Sequence, residues 1–183
     1  MTSIGPPAPV DDGGARHLVR GLALPDIPLP ATRGPAVSLA RLDGWHLIAV
    51  YPWSGRPGLP NPPGWDDIPG AHGSTPQLEG LRNLAPAFHE IGAGVLGLSL
   101  QDTAWQSELA ERLGLPFPLL SDAAGEVSRA LSLPTFETGG VTYLKRLTII
   151  ARQGRIERVF YPAHPPETNP REALLWLDER LTR

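Results

Sequence analysis

The run IPGAHGSTPQ (68–77) sets a hydroxyl, Ser74, where a glycine-rich loop gives way to an amphipathic pattern. From there Leu78, Leu81, Ala85, Phe88 and Ile91 recur at three- and four-residue steps, the mark of one apolar helix face. A helix N-terminus offers N–H groups without intrahelical acceptors and the positive end of the helix dipole. A thiol placed there would be held as a reactive thiolate. A serine hydroxyl stays protonated and attacks only if a neighbouring base takes its proton. His72 and His89 are the candidate bases, and neither spacing fixes a geometry. The plainest role for Ser74 or Thr75 is that of N-cap, with Pro76 in the first turn.

The chain has no cysteine. That excludes disulfides, thiolate metal sites and every thiol mechanism carried by its own residues. Asp66, Asp67 and His72 match no metal-ligand spacing, so loop capping is the reading for the acidic pair, and no metal or cofactor is expected. GRPG and GAHG are too irregular to cradle a phosphate.

The elements that must position these residues follow from periodicity. LALPDIPLP (22–30) reads as an extended edge segment and AVSLARL (36–42) as a short strand or helical turn. WHLIAVYP (45–52) and VLGLSL (95–100) read as strands buried on both faces. Between them, 53–73 is a long loop with five prolines and five glycines, and Trp53 and Trp65 argue that it is ordered and packed. The helix from Ser74 should kink or end at Pro86. A helix over 102–114, capped by Asp102 or Thr103 and stopped by Gly114, is followed by a strand in 116–122 and a short helix in 123–133. YLKRLTIIAR (143–152) and IERVFYP (156–162) form a hairpin, and 169–182 a closing amphipathic helix. The order describes a three-layer α/β sandwich with a mixed central sheet.

Composition bounds the rest. At 183 residues and 41% hydrophobic, the chain suits one domain (21–183) behind a Pro/Gly/Asp-rich tail (1–20) expected to be flexible. A formal charge of −3 gives no reason to expect nucleic acid. No apolar run is long enough for a membrane span and the N-terminus lacks a signal-type apolar stretch, so a cytoplasmic location is expected.

Taken with the motifs VYPWSGRPG, GWDDIPGAHG, STPQ, GLSLQDTAWQSELAERLGLPFPLLSD, LPTFE and LKRLTIIARQGRIERVFYP, this order resembles the peroxiredoxin branch of the thioredoxin fold. Within the redoxin/AhpC–TSA family it is most similar to the peroxiredoxin Q, or bacterioferritin comigratory protein, type over residues 22–181. The resemblance implies a thiol-dependent hydroperoxide reductase with an antioxidant role. It places Pro52 at the motif proline, Ser54 at its threonine, Ser74 at the peroxidatic cysteine, Glu79 at the resolving cysteine and Arg146 at the active-site arginine. Both thiols are absent.

Three readings follow. One is a peroxidase-inactive homologue, a pseudoenzyme, whose small-molecule or oxyanion pocket persists around Arg146, Ser54 and Ser74 with Trp53, Trp65, His72 and Thr75 lining or covering it. Another is a one-cysteine peroxidase captured as a Cys-to-Ser variant. The third is a non-thiol enzyme using the same pocket on a small molecule. Ser54, His72 and the LRN run (81–83) depart from family usage around the site, which favours natural divergence. The partner expected is a small molecule, with neither nucleic acid nor membrane, and a homodimer is compatible with the sequence.

Overall fold

In the computed structural model, which describes residues 5–182, the chain begins the fold with a short antiparallel ribbon, β1 (Pro28–Leu29) and β2 (Val37–Ser38). A 3-10 turn leads into the central strand β3 (Trp45–Val50). There follow α1 (Ser74–Glu90), β4 (Ala93–Ser99), α2 (Thr103–Leu113), β5 (Leu119–Ser121) and the short α3 (Glu126–Ala130). A second ribbon, β6 (Thr135–Thr138) and β7 (Val141–Leu144), precedes the hairpin of β8 (Leu147–Arg152) and β9 (Arg155–Phe160), and α4 (Asn169–Leu181) closes the chain.

Five strands make the main sheet in the order β5-β4-β3-β8-β9. β3, β4 and β5 run parallel, and β8 and β9 are antiparallel to their neighbours. This is the mixed sheet expected of a thioredoxin-like sandwich. Alternation along β3 divides its side chains between two cores. Leu47, Ala49 and Tyr51 join Leu78, Leu81 and Phe88 of α1, Leu109 of α2 and Leu177 of α4 on one face. Ile48 and Val50 join Leu39, Val127 of α3 and Leu144 on the other.

Among the described residues no long helix packs on the second face, and the N-terminal segment contributes to covering it. Ala15 and Leu18 are buried there, and His17 Nε2 lies 2.7 Å from the Leu131 carbonyl oxygen. Lys145 Nζ donates to Asp12 (2.7 Å), the Tyr161 hydroxyl donates to the same carboxylate (2.8 Å), and Gly70 N–H donates to the Pro7 carbonyl (3.2 Å). Where a flexible tail is expected over 1–20, the segment 7–18 thus makes packing and hydrogen-bond contacts with the domain, while 1–4 and 183 lie outside the described residues. Two buried apolar side chains and one shared carboxylate hold this segment, and neither carries a periodic signal.

Two expectations are corrected. α1 runs through Pro86 to Glu90. An interior proline costs a helix about 3 kcal/mol; full burial of Phe88, with Leu84 and Ile91 packed on the same core, offsets it. The N-cap of α1 is Gly73, not Ser74 or Thr75. Gly73 has φ +113°, and a Cβ there would lie 2.3 Å from Pro166 Cγ, so only glycine fits the turn. Pro76 does sit in the first turn. On α2 the expected caps are observed: Asp102 accepts from Trp105 N–H and Gly114 closes the helix in the left-handed region.

Candidate functional site

The register of the sheet explains why distant residues meet. Val50 pairs antiparallel with Leu147, so the residue before β8, Arg146, arrives at the same end of the sheet as Pro52 and Ser54, just past β3. The N-terminus of α1 starts at that end too, because the loop 53–73 returns the chain there from β3.

Ser74 and Arg146 come together. Arg146 Nη2 donates to Ser74 Oγ (3.0 Å), to the His72 carbonyl (3.3 Å) and to the Ala71 carbonyl (3.4 Å), while Nη1 donates to Gln77 Oε1 (2.7 Å). Ser74, Gln77 and Arg146 are all buried. Every one of these acceptors is neutral, and no ion pair to Arg146 occurs among the described residues. Burial without a counter-charge pushes the guanidinium down to about 9 from its ordinary 12.5. The Ser74 and Thr75 N–H groups have no acceptor among the described residues, and Pro76 removes the third donor of the turn. The buried Gln77 Nε2 also lacks a partner.

Ser54 belongs to an adjoining cluster. Its Oγ lies 3.3 Å from Thr75 Oγ1. Its backbone is clamped by Gln101, whose amide accepts from Ser54 N–H (3.0 Å) and donates to the Ser54 carbonyl (3.1 Å). Trp105 Nε1 donates to that same carbonyl at 2.7 Å. Pro52 is buried at the end of β3, between this clamp and the sheet.

The tryptophans form a small core of their own. Trp65, only 3% exposed, packs edge-on against Trp53 (5.3 Å between ring centroids) and Tyr143 (5.1 Å), and Phe136 stacks on Tyr143. The long loop is thus ordered, as expected. His72 makes no hydrogen bond to the Ser74 hydroxyl among the described residues; its Nε2 meets Asp66 Oδ1 at 2.7 Å. His89 lies fifteen residues along α1, about 22 Å from Ser74 by helical rise, and is exposed. Glu79, five residues on, stands about 140° round the helix from Ser74 and makes no side-chain hydrogen bond or ion pair among the described residues. No group of three His, Asp or Glu capable of holding a metal occurs among the described residues.

The sequence reading missed Gln77, Gln101 and Trp105 as site residues. For Gln77 a signal was present: it is a polar residue three positions after Ser74, on the stripe continued by Leu78 and Leu81.

What this geometry can do is limited by its atoms. It supplies a desolvated cation and two free N–H groups around an oxygen that cannot enter thiol redox chemistry. A family model described as Redoxin matches residues 20–175. The chain belongs to the redoxin family. Within it, the likeness is to the peroxiredoxin Q type. This chain is 27% identical over 155 residues to peroxiredoxin Q, chloroplastic, of Oryza sativa subsp. japonica, covering 85% of this chain and 64% of the relative. It is 26% identical over 176 residues to the Arabidopsis thaliana protein of the same description, covering 93% and 74%. The chain thus spans just under two thirds of the length of the rice relative.

Solved structures show the same fold. The peroxidoxin BcpB of Mycobacterium tuberculosis superposes with a TM-score of 0.70 at 24% identity, covering 87% of this chain and 96% of that one. A Cys-to-Ser mutant of PrxQ from Xylella fastidiosa gives 0.73 at 22% identity, covering 90% and 98%.

Proposed function

We propose that this redoxin is a thiol-peroxidase-silent homologue that keeps a small-molecule site around Arg146. The observation that carries the reading is the oxygen of Ser74, held 3.0 Å from Arg146 at the start of α1 in a chain without cysteine. A structural neighbour, the bacterioferritin comigratory protein of Xanthomonas campestris, is described by its alkyl peroxide reduction activity. That chemistry needs a sulfur that is oxidised and then restored by a second thiol, and Ser74 and Glu79 supply none. The cation and the unpaired N–H groups remain suited to an oxyanion or carboxylate.

The test is direct. Metal-free protein supplied with dithiothreitol or a thioredoxin system is expected to consume hydrogen peroxide and cumene hydroperoxide no faster than the buffer blank. Robust turnover would overturn the reading. A serine-based hydrolase has less support, because the hydrogen bond given for Ser74 Oγ is from Arg146, and His72 bonds Asp66 rather than the hydroxyl. A cytoplasmic location belongs to the same proposal. No helix among the described residues is long and apolar enough to cross a membrane, and the plant relatives carry a chloroplastic description.

A further inference from the structure

The segment before residue 20 lies outside the redoxin match, yet it builds a wall beside the family's arginine position. Between this strap and the domain lies a cavity of about 220 Å³. Its apolar walls come from Pro9 and Val10 of the strap, Ile68 of the long loop, Phe136 of β6 and the Pro162–Ala163 turn. Asp12, Lys145, Arg146, Tyr161 and His164 supply the polar lining.

The charges at this lining are unequal in their state. Asp12 is already matched, since Lys145 and the Tyr161 hydroxyl both donate to it, and these donors hold its carboxyl far below the usual range. Arg146 is the charge left over. Its Nη groups reach neutral acceptors only, and its Nε–H has no acceptor among the described residues. A desolvated cation beside an apolar hollow of this size selects a small ligand with an apolar body and one anionic end.

We infer that the strap and the domain together form a binding site for a small amphipathic monocarboxylate, its apolar body between Pro9, Ile68 and Phe136 and its carboxylate toward Arg146. This rests on the reading of a retained site around Arg146, and it moves the ligand to the strap side of the arginine, away from Ser54. The strap is then a component of the site that the family domain by itself does not provide.

The probes are phenylacetate and its neutral counterpart phenylacetamide, titrated into the isotopically labelled full chain and followed by amide chemical shifts. The acid is expected to bind saturably, with Kd about 1 mM or tighter, and the amide about tenfold more weakly or less. The shifts should centre on Val10, Gly70, Ala163 and His164. Arg146→Gln should weaken the acid about tenfold and leave the amide unchanged. Val10→Asp, at a position 79% exposed and so tolerant of change, should weaken the acid two- to threefold through repulsion at the rim.

Should Arg146→Gln not fold, the wild-type map and Val10→Asp decide the matter. Equal binding of acid and amide would overturn the anion argument. Shifts confined to Ser74, Thr75 and Gln77, indifferent to Val10→Asp, would overturn the strap site while leaving the retained pocket standing. Absence of saturable binding by either probe would overturn both, and the peroxidase assay judges the loss of thiol chemistry separately.

Discussion

Ser74→Cys places a sulfur where the geometry has prepared for an anion, and its titration measures that preparation. Arg146 Nη2 stands 3.0 Å from the present oxygen. A unit charge pair at about 4 Å in an environment of effective dielectric about 20 gains roughly 4 kcal/mol, or about 3 pK units. The start of α1 adds up to about 1 kcal/mol. Burial of residue 74, which is 3% exposed, opposes both. Arg146 shows how strong that opposition is for a charge facing only neutral partners, since burial alone takes it down to about 9. Because thiolate and guanidinium relieve each other, the attraction is expected to win, leaving the thiol about 2 units below its ordinary value of about 8.5. Across about pH 6.5–8.5 the unfolded chain holds the proton that the folded chain has released, so stability relative to wild type rises with pH by about 3 kcal/mol and is lost as pH falls through the folded value. Thiolate absorbance near 240 nm against pH, with denaturant midpoints at the two ends of the window, measures both quantities. A thiol titrating at or above about 8.5, or a stability difference flat with pH, would refute the argument that Arg146 and the helix start still act as an anion site.

Three further substitutions test the frame. Gly73→Ala drives a Cβ into Pro166 and forces a left-handed φ on alanine, so it should cost about 3 kcal/mol in chemical denaturation; a loss under about 1 kcal/mol would mean that the turn relaxes freely. Trp65→Ala removes the centre of the aromatic cluster and should cost about 3–5 kcal/mol, with the near-ultraviolet dichroism of the cluster collapsing as well. Glu79→Ala should leave the denaturation midpoint unchanged within about 0.5 kcal/mol, and a larger loss would show that the resolving-cysteine position had acquired a structural partner.

The parts of this fold that were legible are those where local chemistry and tertiary environment agree. The apolar runs of β3 and β4 are buried on both faces, and Asp102 and Gly114 bracket α2 because their side-chain and backbone preferences match the positions they occupy. Legibility drops where a distant residue decides. Ser74 is a good N-cap by type, yet Gly73 takes the cap and the hydroxyl is drawn to an arginine 72 residues away. The expected strand over 143–152 divides at Lys145–Arg146, because Lys145 N–H goes to the Pro134 carbonyl and its first half pairs with β6. That ribbon was hidden by half-exposed strands of four residues each, although Gly139–Gly140 between them is a hairpin signal. The strap was unreadable for a related reason: Asp12 has meaning only beside Lys145 and Tyr161, more than 130 positions further on.

The same N-terminal chain also touches the main sheet at its two margins. Gly21 and Leu24 donate to the Ile156 and Gly154 carbonyls and Leu22 accepts from Ile156, beside β9. Near β5, Thr32 donates to the Leu119 carbonyl, Ser121 donates to the Pro30 carbonyl, and Leu119 N–H donates to the Thr32 hydroxyl. Outward-facing peptide groups at the rim of a sheet are a template for pairing with another molecule. Here one continuous stretch, 21–32, spends its own peptide groups on β5 and on the first half of β9. Strand-to-strand extension of the sheet through those margins is thereby blocked. A chain shortened past residue 32 would free both at once, and self-association or fibrous aggregation through the exposed edges would then compete with the native fold.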